Sequence, residues 1–70
     1  MRKIIEEWML NEKNSPFTIK KLFDALKEKG IDTNKHAPYI MKILDELLEA
    51  GQVIDVYPGK RPTLFFSMFY

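Results

Sequence analysis

The chain has 70 residues, 46% hydrophobic and 13% aromatic, with eleven basic and ten acidic side chains and a formal net charge of +1. So short a chain builds one core, and its apolar content excludes the disordered class of few apolar residues and high net charge. The absence of cysteine and a single histidine, His36, exclude a disulfide scaffold, a thiolate metal site, a cysteine nucleophile and a histidine cluster; with the total charge near balance, a polyanionic partner can be argued only from where the charges sit.

At the N-terminus, "MRKIIEEWMLNEK" places Ile4, Ile5, Trp8 and Met9 at helical spacing with Glu6, Glu7 and Glu12 outside the stripe, which predicts an amphipathic helix over about 2–13. The glutamates stand where a signal peptide would carry its apolar core, and no stretch approaches the roughly 20 apolar residues of a membrane span. A single soluble domain over 1–70, in the cytoplasm, is the expectation. Asn14, Ser15 and Pro16 then break the helix.

Thr18 is the expected N-cap of a second helix, about 18–29, with Phe17 placed to pack on Leu22 as a hydrophobic staple. Lys21 stands where a capping box would have Glu or Gln. The buried stripe is Ile19, Leu22, Phe23 and Leu26, and Gly30 ends the helix in a left-handed cap. In "IDTNKHAP" there are three N-cap candidates, Asp32, Thr33 and Asn34, and Pro38 suits a first helical turn. The third helix, about 35–50, is therefore expected to begin between Asn34 and Ala37. Its stripe is Ile40, Ile43, Leu44 and Leu47, flanked by Met41 and Leu48, and it ends at Gly51.

Beyond Gly51 the period changes to two. Residues 52–57 and 63–68 read as the strands of a hairpin joined by "PGKRP", with Gly59 supplying turn freedom. Alternation puts Leu64, Phe66 and Met68 on one side and Phe65, Ser67 and Phe69 on the other. The run "TLFFSMFY" lacks charge and internal proline, so it needs cover. A homodimer through this C-terminal strand and the first helix, with Trp8 nearby, would supply it. The competing reading is that Phe65 and Phe69 pack under the first helix of a monomer.

Three helices followed by a hairpin make a mainly α fold with a small β-hairpin. The residues Leu44 and Leu47, the run "LLEAGQVI" and the hairpin "YPGKRPTLFF" resemble the winged helix-turn-helix domains of prokaryotic and archaeal-viral transcription regulators. The resemblance covers about 50 residues, from Phe17 to Met68, a size at which one small domain is expected. The turn between the second and third helices reads as longer than the tight turn of that family. The resemblance implies a third helix that enters the major groove of double-stranded DNA and a wing whose tip, here Lys60 and Arg61, reaches the minor groove or the phosphates. A homodimer would match two half-sites.

The face of the third helix opposite its core stripe carries Lys35, Pro38, Tyr39, Lys42, Asp45, Glu46 and Glu49, basic first and acidic last. That order opposes the helix macrodipole. With Lys20 and Lys21 beside Thr18, it gathers cations at two helix beginnings, where free N–H groups already favour phosphate. The expectation is therefore a transcription regulator that inserts the first two turns of the third helix. Lys35, His36, Tyr39 and Lys42 are expected at bases or nearby phosphates, with Thr18, Lys20, Lys60 and Arg61 on the backbone. The plainer alternative is that these lysines form ordinary solvated faces. A further alternative, favoured by the acids and the balanced charge, is a winged-helix module that binds protein and no DNA.

Chemistry has no foothold in the pattern. Glu6 with Glu7 and Asp45 with Glu46 are neighbours that point about 100° apart on a helix. Ser15, Thr18 and Ser67 lack a base partner at recognisable spacing, no glycine-rich phosphate loop exists, and His36 has no second ligand nearby. No enzyme, cofactor or metal is expected.

Overall fold

A computed structural model describes residues 1–59 and 63–68 of the chain. The order of elements is α1 (Arg2–Leu10), a 3-10 turn (Glu12–Asn14), α2 (Ile19–Glu28), α3 (Thr33–Glu49), β1 (Val53–Asp55) and β2 (Phe65–Ser67). Three helices precede one antiparallel hairpin, a small mainly α fold with a β-hairpin. Among the described residues no helix is long and apolar enough to cross a membrane.

The first helix is shorter than its expected span of 2–13. Asn11 ends it, adopting an extended conformation with φ −82° and ψ 113°, while its side-chain carbonyl accepts from the Lys13 N–H at 3.0 Å. The Asn14 amide then donates to the Trp8 carbonyl at 3.0 Å. Asparagine offers the backbone a local alternative to the helical bond, and here that alternative wins. The Ser15–Pro16 peptide is cis.

Thr18 caps α2 as expected, its hydroxyl accepting from the Lys21 N–H at 3.2 Å. At the other end the Gly30 N–H donates to Lys27 C=O at 2.9 Å and the Ile31 N–H to Leu26 C=O at 3.1 Å, with Gly30 at φ +85°. This is the paired Schellman closure of a helix C-terminus. Gly51 repeats it after α3, with bonds to Leu48 C=O at 3.1 Å and from Gln52 to Leu47 C=O at 3.0 Å.

Two expectations about α3 need correction. Asp32 is the cap, its carboxylate accepting from the Lys35 N–H at 3.1 Å, so the helix begins at Thr33 rather than between Asn34 and Ala37. The turn from α2 is consequently only Lys29–Asp32, tight instead of long. Pro38 thereby falls in the second turn. Its ring removes one N–H near an exposed helix end, where water can satisfy the freed carbonyl.

The hairpin register is Val53 with Ser67, Ile54 with Phe66 and Asp55 with Phe65. Bonds from Val56 N–H to Leu64 C=O and from Met68 N–H to Gln52 C=O extend the pairing by one residue at each end. A third short segment joins the sheet: Phe17 and Phe65 exchange backbone hydrogen bonds, both 2.8 Å. Phe17 is thus both the staple position before α2 and a one-residue strand beside β2. Trp8 meets Phe17 edge-on with centroids 5.2 Å apart, and Phe17 stacks on Phe65 at 5.6 Å. This trio joins Ile5, Met9, Leu22, Leu26, Ile40, Ile43, Leu44, Leu47 and Val53 in the core.

The greasy C-terminal strand is covered on one side within a single chain. Phe65 is buried and Phe66 is 42% exposed; Ser67 faces inward, its hydroxyl donating to Met9 C=O at 2.7 Å and its N–H donating to the Ser15 hydroxyl at 3.0 Å. Trp8, expected near a partner surface, is instead part of the core and leaves Leu10 as the exposed apolar residue of α1. Phe69 lies outside the described residues.

Candidate nucleic-acid interface

The core stripe of α3, formed by Thr33, Ile40, Ile43, Leu44 and Leu47, fixes which side the helix turns outward. Lys35, Pro38, Tyr39, Lys42, Asp45, Glu46 and Glu49 are all exposed, as the helical period requires. Lys35, Tyr39 and Lys42 follow one another at spacings of four and three residues, so they form a ridge along that face. His36 is half-buried, displaced toward the flank.

Glu46 does not stand free on this face. Arg2, at the start of α1, donates to its carboxylate at 2.9 Å and to Glu6 at 3.2 Å. The Glu6 hydrogen bond, with help from Glu46, raises the Arg2 guanidinium above its ordinary pKa. These are the ion pairs among the described residues, so Lys20, Lys35 and Lys42 are each unpaired there. Nothing in the local sequence signals the Arg2–Glu46 contact, which links residues 44 positions apart.

The start of α2 borders an open depression of about 440 Å³ between α1 and α2, floored by Trp8 and Ala25 and rimmed by Asn14, Thr18, Lys20, Lys21, Asp24 and Glu28. Lys20 and Lys21 are exposed, and Thr18 is half-buried with its hydroxyl engaged in the cap. Lys21 belongs with Lys20 at this rim, although the sequence reading did not include it among the contact residues; its adjacency to the cap was the available signal. The backbone N–H groups of Ile19 and Lys20 make no intrachain hydrogen bond among the described residues.

The two helix beginnings therefore differ. A neutral hydroxyl caps α2 and leaves its dipole open to an anion. The Asp32 carboxylate caps α3 and already occupies the position a phosphate would take. At the third helix, only side chains remain to meet an anion. Lys60 and Arg61, the expected wing-tip contacts, lie outside the described residues. Among the described residues no group of three or more His, Asp or Glu is placed to hold a metal ion. No family model, curated protein or solved structure matches the chain.

Proposed function

We propose that this chain is a small DNA-binding protein, a transcription regulator that places the N-terminal half of α3 in the major groove with the hairpin on the backbone or minor groove. The observation that carries the reading is the exposed ridge of Lys35, Tyr39 and Lys42, three polar side chains without a partner among the described residues, on the helix that follows a tight turn from α2. Lys35, in the first turn, is unfavourable for the helix dipole, so helix stability does not account for it. Arg2 pairs with Glu46 as well as Glu6 and so offsets part of the repulsion that the acidic half would exert on a phosphate backbone.

The positions suit a straddled groove. The eight steps of α2 from Lys20 to Glu28, at about 1.5 Å rise, span roughly 12 Å along the helix axis. A major groove is about 12 Å wide. On this reading Lys20, with the free N–H groups at the start of α2, meets one phosphate strand while Lys35 and Lys42 meet the groove or its far wall. Tyr39 offers a ring edge and hydroxyl to base edges between them.

The test is fluorescence anisotropy of labelled duplex against salt. Replacing Lys20, Lys35 and Lys42 together with alanine is expected to flatten the log–log salt slope by about 2 to 3 units, roughly one per lost phosphate contact. The Lys60→Ala, Arg61→Ala pair is expected to flatten it by about 1 to 2 units. An unchanged slope in the triple variant removes α2 and α3 from the interface.

A second reading is a winged-helix module that binds protein. The carboxylates of Asp32 at the start of α3 and of Asp24 and Glu28 beside Lys20 favour it, because they dilute the positive potential. Random duplex at low salt separates the two readings: a DNA-binding chain shows at least micromolar affinity there, and absence of binding favours the protein partner.

A further inference from the structure

We propose that the depression between α1 and the start of α2 binds a small phosphate monoester, its phosphate held beside Thr18 and its organic part lying on Trp8 and Ala25. The inference stands whether or not the chain binds DNA. It rests on a buried indole whose N–H is unused within the chain.

Trp8 is 8% exposed and meets Phe17 edge-on, yet it also floors the depression of about 440 Å³. A buried tryptophan N–H ordinarily finds a hydrogen-bond partner. This one has none among the described residues, where the Thr33 hydroxyl is the fully buried side-chain polar atom left without one. The indole N–H is therefore not sealed in the core, and the part of Trp8 that stays uncovered lines the depression. A donor without a partner thus faces the recess.

Further donors gather at the same end. The Thr18 hydroxyl accepts from the Lys21 N–H and keeps its own proton for an acceptor. The backbone N–H groups of Ile19 and Lys20 are unused among the described residues and carry the positive end of the α2 dipole. Lys20 and Lys21 stand exposed on the rim, and neither joins an ion pair among the described residues. Converging N–H and O–H donors with two ammonium groups suit an oxyanion. Farther along α2 the rim changes sign, with Asp24 and Glu28 one and two turns beyond Lys20. A polyanion laid across the depression would meet both carboxylates, whereas a single terminal phosphate at the Thr18 end avoids them. The volume falls within the roughly 300–1,000 Å³ of small-molecule sites, so the floor of Trp8 and Ala25 has room for an organic group as well.

Nuclear magnetic resonance titration of the isotope-labelled full chain at constant ionic strength tests the site, with phenyl phosphate as the probe. Phenyl phosphate is expected to shift the Trp8 indole N–H and the Ile19 and Lys20 amides together and saturably, while sodium chloride leaves them in place. Trp8→Phe keeps an aromatic ring and removes the donor; Lys20→Gln with Lys21→Gln removes the counter-charge from an exposed rim. Each change is expected to weaken the probe by about tenfold, with circular dichroism melts as the check on folding. The lysine pair tests the site even where Trp8→Phe unfolds the chain. A short DNA duplex is expected to leave the indole N–H unshifted. No saturable shift with phenyl phosphate, or affinity that survives the lysine pair, overturns the proposal. A duplex that shifts the indole N–H assigns the recess to the DNA backbone and overturns it as well.

Discussion

Thr33 is the residue whose chemistry and position conflict. It is 1% exposed, and its hydroxyl has no hydrogen-bond partner within the described residues. A buried unpaired hydroxyl costs about 1 to 3 kcal/mol. Thr33→Val keeps the branched shape and removes the oxygen, so it is expected to stabilise the fold by about 1 kcal/mol and raise Tm by roughly 4 to 8 °C, readable in a thermal melt. Asp32, Thr33 and Asn34 all suited the N-cap in sequence, because the same short polar side chains serve there. The choice of Asp32 sends Thr33 inward, and only packing reveals that consequence. Arg2 shows the same limit: its pairing with Glu6 follows helical spacing, whereas its pairing with Glu46 depends on how α1 crosses α3.

At the scale of elements, caps decide the boundaries. Asp32→Ala removes the carboxylate from the start of α3 and is expected to cost about 1 kcal/mol in denaturant melts. It should also open that helix end to anions, so its DNA affinity at low salt is expected to rise even as stability falls. Gly51 has φ +75° with nothing within 4 Å of a Cβ placed on it. Gly51→Ala therefore meets no clash and is expected to cost about 1 to 2 kcal/mol from the backbone conformation alone. Both glycines that end helices were legible, since apolar spacing stops at each and glycine tolerates the left-handed cap. The end of α1 was less so: Asn11 closes it through its own side chain, three residues before the Asn-Ser-Pro break.

For the whole molecule, the aromatic stack of Trp8, Phe17 and Phe65 joins α1, the segment before α2 and the hairpin. A chain of this length is expected to have about 4 to 10 kcal/mol of total stability. Phe65→Ala, at about 3 to 5 kcal/mol, is expected to consume much of it, whereas Phe66→Ala is expected to cost under about 1 kcal/mol. Urea melts of the two neighbours thus test which way the strand faces. A large loss for Phe66 with a small one for Phe65 would reverse the assigned register.

Sequence by itself determined the three helices, their buried stripes, the α2 cap, the glycine stops and a hairpin at the end, because each is written in local periodicity and in the conformational preference of single residues. The outward ridge of Lys35, Tyr39 and Lys42 followed from the same period. Tertiary structure decided what no local pattern encodes: Phe17 paired with Phe65, and Glu46 held by Arg2. Those outcomes join residues distant along the chain, and their energies arise only when packed surfaces bring the partners together.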